Sequence, residues 1–418
     1  MGKLDLLEIN FTNNQEVFYG GQLVQGHVTV QLNAEIKMRR IRLEFNGGAR
    51  VKWSETRSNG QSTYTVVYSS KESYFEHVLV LFGKGLEEKG DDHVLQPGNY
   101  SYPFSFQLPN QLPSSYESSV GRVRYTVTAV IDRPWKFDHK CKRTITFIDA
   151  VDLNLEPTAA QGVTQQGEKT MCCLCCKSGP IRAVLKLDRL GYVPGENIRI
   201  HGEINNHSRR KMTSSFAELR MTVDYHTPSK TRTQKNSVSK ICKGPIQAGG
   251  DDIWNGDALG VPPLPPSNLR GCKIIDIKYT VTLNVDPAGP AFDLVVPIKI
   301  IIGTIPLRSV AQQYGVPGPM PSSIYLSDHP NIPVKLIMPE VSMSLPPVEY
   351  VNVSPSNMSN NQDIPPPAYV ESYFGKVDVH DDDDNEHTRG NMEYAPVYAY
   401  YNWNEHNTNT FLNVAPKK

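Results

Sequence analysis

No apolar run reaches the roughly 18 residues that a membrane-spanning helix needs. The longest apolar stretch in the 418 residues, Leu294 to Leu307, is broken by Pro297, Lys299 and Pro306. An excess of charge of one sign is also missing. The sequence has 43 Lys plus Arg against 43 Asp plus Glu, so there is no simple case for a polyanion-coating protein, and no nucleic-acid partner is expected. Cysteine is sparse and odd in number: there are 7, four of them packed into Cys172-Cys173-Leu174-Cys175-Cys176, which argues for reduced thiols rather than a disulfide framework. Gly-x-Ser-x-Gly, His-Glu-x-x-His, Walker-loop and Gly-x-Gly-x-x-Gly signatures are all absent, and the 11 histidines do not cluster, so no catalytic residue, metal or cofactor is assigned. Met1-Gly2-Lys3-Leu4-Asp5-Leu6 has no apolar h-region, and Leu6 stands where a myristoylation motif wants Ser or Thr. The expectation is a cytoplasmic protein.

The even charge balance hides a division. Residues 308–418 carry 6 basic and 13 acidic side chains together with 14 of the 32 prolines, 9 of the 20 tyrosines and no cysteine. Such a composition suits a solvated tail, and it leaves the first 307 residues basic. In that first part apolar and polar residues alternate with period two, as in Ile41-Arg42-Leu43-Glu44-Phe45, Tyr125-Thr126-Val127-Thr128-Ala129, Leu219-Arg220-Met221-Thr222-Val223 and Tyr279-Thr280-Val281-Thr282-Leu283. Asn46-Gly47-Gly48, Asn59-Gly60, Pro97-Gly98-Asn99 and Pro194-Gly195 are turn signals between such runs. No amphipathic helix stands out, and short one-face-buried strands at this spacing predict antiparallel sandwiches.

An internal echo sets their number. Arg124-Tyr125-Thr126-Val127-Thr128-Ala129-Val130-Ile131-Asp132 aligns without a gap on Lys278-Tyr279-Thr280-Val281-Thr282-Leu283-Asn284-Val285-Asp286, about one domain length later. The expected organisation is a first β-sandwich over residues 1–155, a cysteine-containing linker over 156–177, a second β-sandwich over 178–307 and a disordered Pro/Tyr-rich acidic tail over 308–418.

Several segments taken together resemble the α-arrestins, the arrestin domain-containing proteins. In the first half these are residues 41–53 (Ile41 to Trp53), Tyr102-Pro103-Phe104-Ser105-Phe106-Gln107-Leu108-Pro109, and Val123-Arg124-Tyr125 running to Arg133-Pro134-Trp135. In the second half they are Ser178-Gly179-Pro180, Leu190-Gly191-Tyr192-Val193-Pro194-Gly195-Glu196, Lys278-Tyr279 and Ile302-Gly303-Thr304-Ile305-Pro306-Leu307. The resemblance implies an all-β fold of two tandem arrestin-like antiparallel sandwiches that bind cytoplasmic regions of membrane receptors or transporters, followed by a tail that recruits a HECT-type ubiquitin ligase. It also implies recruitment from the cytoplasm to the plasma membrane and endosomes. A ligase-independent cargo-sorting coat subunit, like the arrestin-fold proteins of retromer, is the alternative. Thioredoxin-interacting protein, which this sequence also resembles, uses a cysteine three residues before Trp-x-Gly. Here Asp251 precedes Trp254-Asn255-Gly256, so a disulfide with thioredoxin is not implied.

Pro366-Pro367-Ala368-Tyr369 is a Pro-Pro-x-Tyr sequence. Its prolines preset the polyproline II backbone that a WW-domain groove binds, and Tyr369, one three-residue turn after Pro366, returns to the same face. Pro346-Pro347-Val348-Glu349-Tyr350 has one residue too many, which turns its ring about 120° away. Ala395-Pro396-Val397-Tyr398 keeps the Pro-x-Tyr spacing without the leading proline, so Pro396 and Tyr398 are candidates for a weak second site that adds avidity. Cys172, Cys173, Cys175 and Cys176 are too crowded for four thiolates to close a tetrahedron on one ion. S-acylation of the cluster and ordinary reduced thiols both remain open readings. Asp381-Asp382-Asp383-Asp384 lacks the glycines and spacing of a calcium loop. It reads as a solvated acidic stretch, or as one that lies against the basic lobes in a salt-sensitive contact. The same basic excess favours phosphorylated tails or an anionic membrane surface.

Overall fold

The computed structural model describes residues 3–173, 176–313, 367–381 and 383–403. Seven principal strands build the N-terminal lobe: β1 (Leu4–Phe11), β2 (Leu23–Leu32), β3 (Arg40–Ser58), β4 (Thr63–Gly83), β5 (Gly98–Gln107), β6 (Gly121–Asp132) and β7 (His139–Phe147). One sheet runs β1-β2-β5 and the other β7-β6-β3-β4, with every pair among these antiparallel. The alternation noted above now has a cause. Ile41, Leu43 and Phe45 of β3 are buried while Arg42 and Glu44 are only partly so, and the Phe45 ring meets Phe104 of the opposite sheet edge-on at 5.9 Å. Asn46-Gly47-Gly48 does not turn the chain; β3 runs straight through it, with a register shift against β4 between Gly47 and Gly48. A Cβ on Gly47 would stand 2.5 Å from the Phe75 ring and 2.7 Å from the Tyr125 ring, so glycine is needed there for close packing and a bulge rather than for reversal. The Asn59-Gly60 signal does close the β3–β4 hairpin, with Gly60 at φ 88°.

The C-terminal lobe contains β8 (Val163–Cys173), β9 (Cys176–Leu187), β10 (Asn197–Asn206), β11 (Met212–His226), β12 (Thr231–Lys243), β13 (Asp251–Gly260), β14 (Ile275–Pro287) and β15 (Leu294–Ile302). Its sheets run β8-β9-β10-β13 and β15-β14-β11-β12. Here the expected linker over 156–177 is corrected in part, because Val163 to Cys173 is a strand that pairs with β9 from Val163↔Leu187 onward. β8 sits at a sheet edge and carries Thr164, Gln165, Gln166, Glu168, Lys169 and Thr170, polar residues of the kind that keep edges from pairing with other chains. That polarity is why no apolar alternation marks it. The cysteines lie at the end of this hairpin, where Cys172 is opposite Lys177 and Cys173 opposite Cys176; Cys175 is outside the described residues.

The echoed strands hold equivalent places: β6 lies between β3 and β7, and β14 between β11 and β15. Tyr125 is buried and its hydroxyl donates to the Pro113 carbonyl at 2.6 Å; Tyr279 is buried and donates to the Pro265 carbonyl at 2.7 Å. Two residues after each of those prolines a serine hydroxyl accepts a strand amide at 2.9 Å, Ser115 from Phe147 and Ser267 from Ile302. The underlying repeat is Leu112-Pro113-Ser114-Ser115 and Leu264-Pro265-Pro266-Ser267, a second echo that the first makes recognisable. Between the lobes, the Tyr225 hydroxyl of β11 lies 2.8 Å from the hydroxyls of both Tyr116 and Ser118. The α-helix α1 (Arg308–Gln313) belongs to a unit separate from the lobes.

Candidate functional site

The acidic tail contains a packed portion. Residues 367–403 fold with the two lobes and contribute three strands of three or four residues, β16 (Ala368–Glu371), β17 (Thr388–Gly390) and β18 (Val397–Tyr400). A solvated tail accounts for the proline and charge content but not for the tyrosines. Tyr394 and Tyr398 are buried, and tyrosine is well suited to such a site because its ring leaves water while its hydroxyl keeps a partner. The Tyr398 hydroxyl donates to the Ser115 carbonyl at 3.0 Å, and the Tyr394 hydroxyl lies 3.0 Å from Thr146 Oγ1. On the C-terminal lobe, the Tyr401 hydroxyl donates to the Thr304 carbonyl at 2.8 Å and its amide to the Pro194 carbonyl at 3.0 Å.

Electrostatics place the acidic run. β17 adds to the edge of β7 in parallel, Lys140 to Lys142 opposite Thr388 to Gly390, which brings Asp381 onto β6 and β7. Asp381 pairs with Arg122, lies 3.1 Å from Lys142 Nζ and 3.8 Å from Arg124 Nη1, while Asp384 pairs with Lys142 at 2.6 Å. The Lys140 ammonium donates to the Asp383 carbonyl at 2.7 Å; Asp382 is outside the described residues. Burial works to raise the Asp381 carboxyl, and Arg122, Lys142 and Arg124 overcome it and hold the group below the usual carboxylate range. Arg124 is itself buried and held by Glu117 in a two-point pair at 2.6 and 2.9 Å, with its third nitrogen donating to the Val379 carbonyl of the tail at 3.3 Å. Burial pushes the Glu117 carboxyl up, opposed by that pairing. The described residues of the run therefore lie against the N-terminal lobe, in line with the second of its two sequence readings. The basic residues that matter are Arg122, Arg124 and Lys142.

The ligase-docking candidates are brought together. β16 and β18 pair antiparallel, with Tyr369 opposite Ala399, Val370 opposite Tyr398 and Glu371 opposite Val397. Ala368 and Tyr369 of the first sequence and Val397 and Tyr398 of the second thus lie on the two strands of one small clasp, the first two opposite Tyr400 and Ala399 and the other two opposite Glu371 and Val370. The Tyr369 hydroxyl lies 2.7 Å from the Tyr19 hydroxyl, the Ser372 amide donates to the Pro396 carbonyl at 2.8 Å and the Tyr373 amide to the Pro263 carbonyl at 3.0 Å. Tyr369 is 41% exposed, whereas Tyr398 is 2% exposed, so in this conformation Tyr398 anchors the tail rather than offering a second docking ring. Pro367 is partly exposed and Pro366 is outside the described residues. Sequence reasoning missed Tyr19, Ser115 and Thr146; their only signal is the polar partner that every buried tyrosine hydroxyl requires.

The tail segment thus contacts both sandwiches, Tyr398 on Ser115 of the first and Tyr401 on Thr304 at the second. The profile of the Arrestin (or S-antigen), N-terminal domain family matches residues 7–154, and that of the Arrestin (or S-antigen), C-terminal domain family matches residues 177–307. Arrestin domain-containing protein 17 of Caenorhabditis elegans is 28% identical over 96% of this chain and 100% of its own. Arrestin domain-containing protein 4 of Homo sapiens is 31% identical over 75% of this chain and 77% of its own, and thioredoxin-interacting protein of Rattus norvegicus is 28% identical over 72% and 74%. With both arrestin domains present in order and relatives of this kind along nearly its whole length, the chain belongs to the arrestin-domain proteins, in the α-arrestin branch, whose members serve as adaptors.

Proposed function

We propose that the protein is an adaptor that brings a WW-domain HECT ubiquitin ligase to membrane-protein cargo. The two lobes engage cytoplasmic regions of receptors or transporters, Pro366, Pro367 and Tyr369 dock the ligase, and the cargo is ubiquitinated and sorted through endosomes. The product is proximity, since tethering raises the effective concentration of ligase at the cargo to the millimolar range for short flexible links. The observation that carries the reading is the Pro-Pro-x-Tyr sequence after two arrestin lobes, with the Tyr369 ring, on a strand that folds with them, partly open to solvent. The site of action follows as the cytoplasmic face of the plasma membrane and endosomes.

Co-precipitation of HECT-type ligases from cell lysate, with the wild-type chain and with Tyr369→Ala, tests it. Ligase is expected with the wild type and lost with the variant. Equal capture by both, or capture by neither, would overturn WW docking through this motif and promote the ligase-independent coat-subunit reading.

A further inference from the structure

We infer that the clasp gates ligase docking: β18 (Val397–Tyr400) is the lock on Ala368 and Tyr369 of the Pro-Pro-x-Tyr sequence, and a WW domain and the lobes compete for the same tail segment. The inference rests on the ligase-docking function proposed above and adds its regulation.

A WW groove takes Pro-Pro-x-Tyr as polyproline II, a backbone with no internal hydrogen bonds and with the proline and tyrosine faces both open to the partner. Here Ala368 and Tyr369 of that sequence already belong to a ladder. Residues Ala368 to Glu371 pair with Tyr400 to Val397, so β18 lies alongside Ala368 and Tyr369 of the motif. The Tyr369 hydroxyl is held by Tyr19, and the chain just beyond it is fixed on both sides, Ser372 to Pro396 and Tyr373 to Pro263. For Tyr369 to enter a WW pocket, β16 must part from β18 and the ring must leave Tyr19.

β18 cannot yield without work, because its anchor is the buried Tyr398 with its hydroxyl on the Ser115 carbonyl. Upstream of it the tail is held by Tyr394 on Thr146, by the β17–β7 pairing and by the Asp381 and Asp384 ion pairs. The residues that make Ala-Pro-Val-Tyr a poor second docking motif are thus those that make it a good lock. The missing leading proline stands as Ala395, itself buried, and Tyr398 is spent on the lobe. When only a fraction of molecules is open, the apparent dissociation constant rises by the inverse of that fraction, so the clasp sets ligase affinity without touching the motif.

The experiment measures binding of a recombinant WW domain to the full-length protein by isothermal titration calorimetry, for the wild type, Tyr398→Ala, Gly390→Ala, and each opened variant combined with Tyr369→Ala. Both single substitutions lie in the tail. Gly390→Ala removes no side chain: it acts because Gly390 has φ +123° and a Cβ there would stand 2.1 Å from the Lys142 carbonyl oxygen. Binding is expected to tighten at least about fivefold in either opened variant and to vanish when Tyr369→Ala is added. Raising salt from about 50 mM to about 500 mM is expected to tighten the wild type toward the opened variants, because it screens the Asp381 and Asp384 pairs and leaves apolar ring docking in place. Equal affinity for wild type and both opened variants would overturn the clasp while leaving ligase docking intact. No binding by any form would overturn the docking function and, with it, the lock.

Discussion

Gly390→Ala isolates tail docking from the stability of the lobes, because the substitution lies outside both sandwiches yet meets one of them. At φ +123° an L residue is strained by an amount on the order of 1–3 kcal/mol. The added Cβ would also fall 2.1 Å from the Lys142 carbonyl oxygen and 2.9 Å from its amide nitrogen, so β17 must withdraw from β7 by about 1 Å and weaken a pairing whose bonds contribute about 0.5–1.5 kcal/mol each. A total of about 2–4 kcal/mol follows, which raises the open fraction of the tail roughly 30-fold to 1000-fold. Native hydrogen exchange reads this at the amides of Tyr373, Val379 and Tyr401, whose acceptors in the closed state are Pro263, Met392 and Pro194. These amides are expected to exchange faster by at least about 30-fold, with β6 and β14 unchanged. Unchanged exchange at all three would refute the reasoning, and so would acceleration that extends into β14, since the tail would then be a structural part of the core rather than a docked segment.

Acid is expected to loosen the tail. Burial pushes the His139 imidazole down to about 4, with help from Arg133 and from His387 and Arg389 of the tail, whose His387 ring lies 5.1 Å away. A histidine depressed in the closed state contributes stability present above its free value of about 6.5 and lost as pH falls from there toward 4. The site is partly exposed, so the loss by pH 5 is held to about 1 kcal/mol; tail proteolysis should quicken between pH 7 and 5, and the same response in His139→Asn would refute the assignment. Gly121→Ala should loosen the lobe interface by about 1–3 kcal/mol, because a Cβ there would lie 2.8 Å from the Tyr225 ring; a melting temperature equal to the wild type's would count against that contact. Tyr125→Phe and Tyr279→Phe should each cost about 1–3 kcal/mol by leaving the Pro113 or Pro265 carbonyl without its donor, and chemical denaturation of the double variant should show the two costs adding; strong coupling would show that the lobes do not bear them independently.

Much of the fold was legible because its strands are buried on one face. Ile41 to Phe45 and Leu219 to Val223 alternate in sequence as they alternate in burial, and the echo of β6 in β14 marks the central strand of one sheet in each lobe. What alternation does not encode was lost. β8 is an edge strand, polar because its free edge must not recruit other chains, and it reads as linker. Gly47 and Gly48 have the composition of a turn, yet the fold uses Gly47 to let two rings close over a strand and Gly48 to let the Glu72 carbonyl approach. Composition gives the permissiveness of glycine; only the rings of Phe75 and Tyr125 give its purpose.

The candidate site was legible as chemistry and not as assembly. Pro-Pro-x-Tyr is a local signal, complete within four residues, and the opposite charges of tail and lobes gave the direction of attraction. The pairing of Tyr369 with Ala399 is a contact across 30 residues that no local pattern carries. Tyr398 shows why the two kinds of information diverge. Read alone, Pro396-Val397-Tyr398 is a docking motif short of one proline, because prolines and tyrosines suit an extended partner-bound chain. The same preferences suit an extended strand lying on the chain's own lobe, where a buried ring with a wet-seeking hydroxyl finds the Ser115 carbonyl. One grammar suits both settings, so the sequence identifies residues suited to an aromatic-accepting surface, and the structure places Tyr398 on the protein's own lobe. That shared grammar is what lets Tyr398, near an intact Pro-Pro-x-Tyr sequence, serve as an anchor on the chain's own lobe.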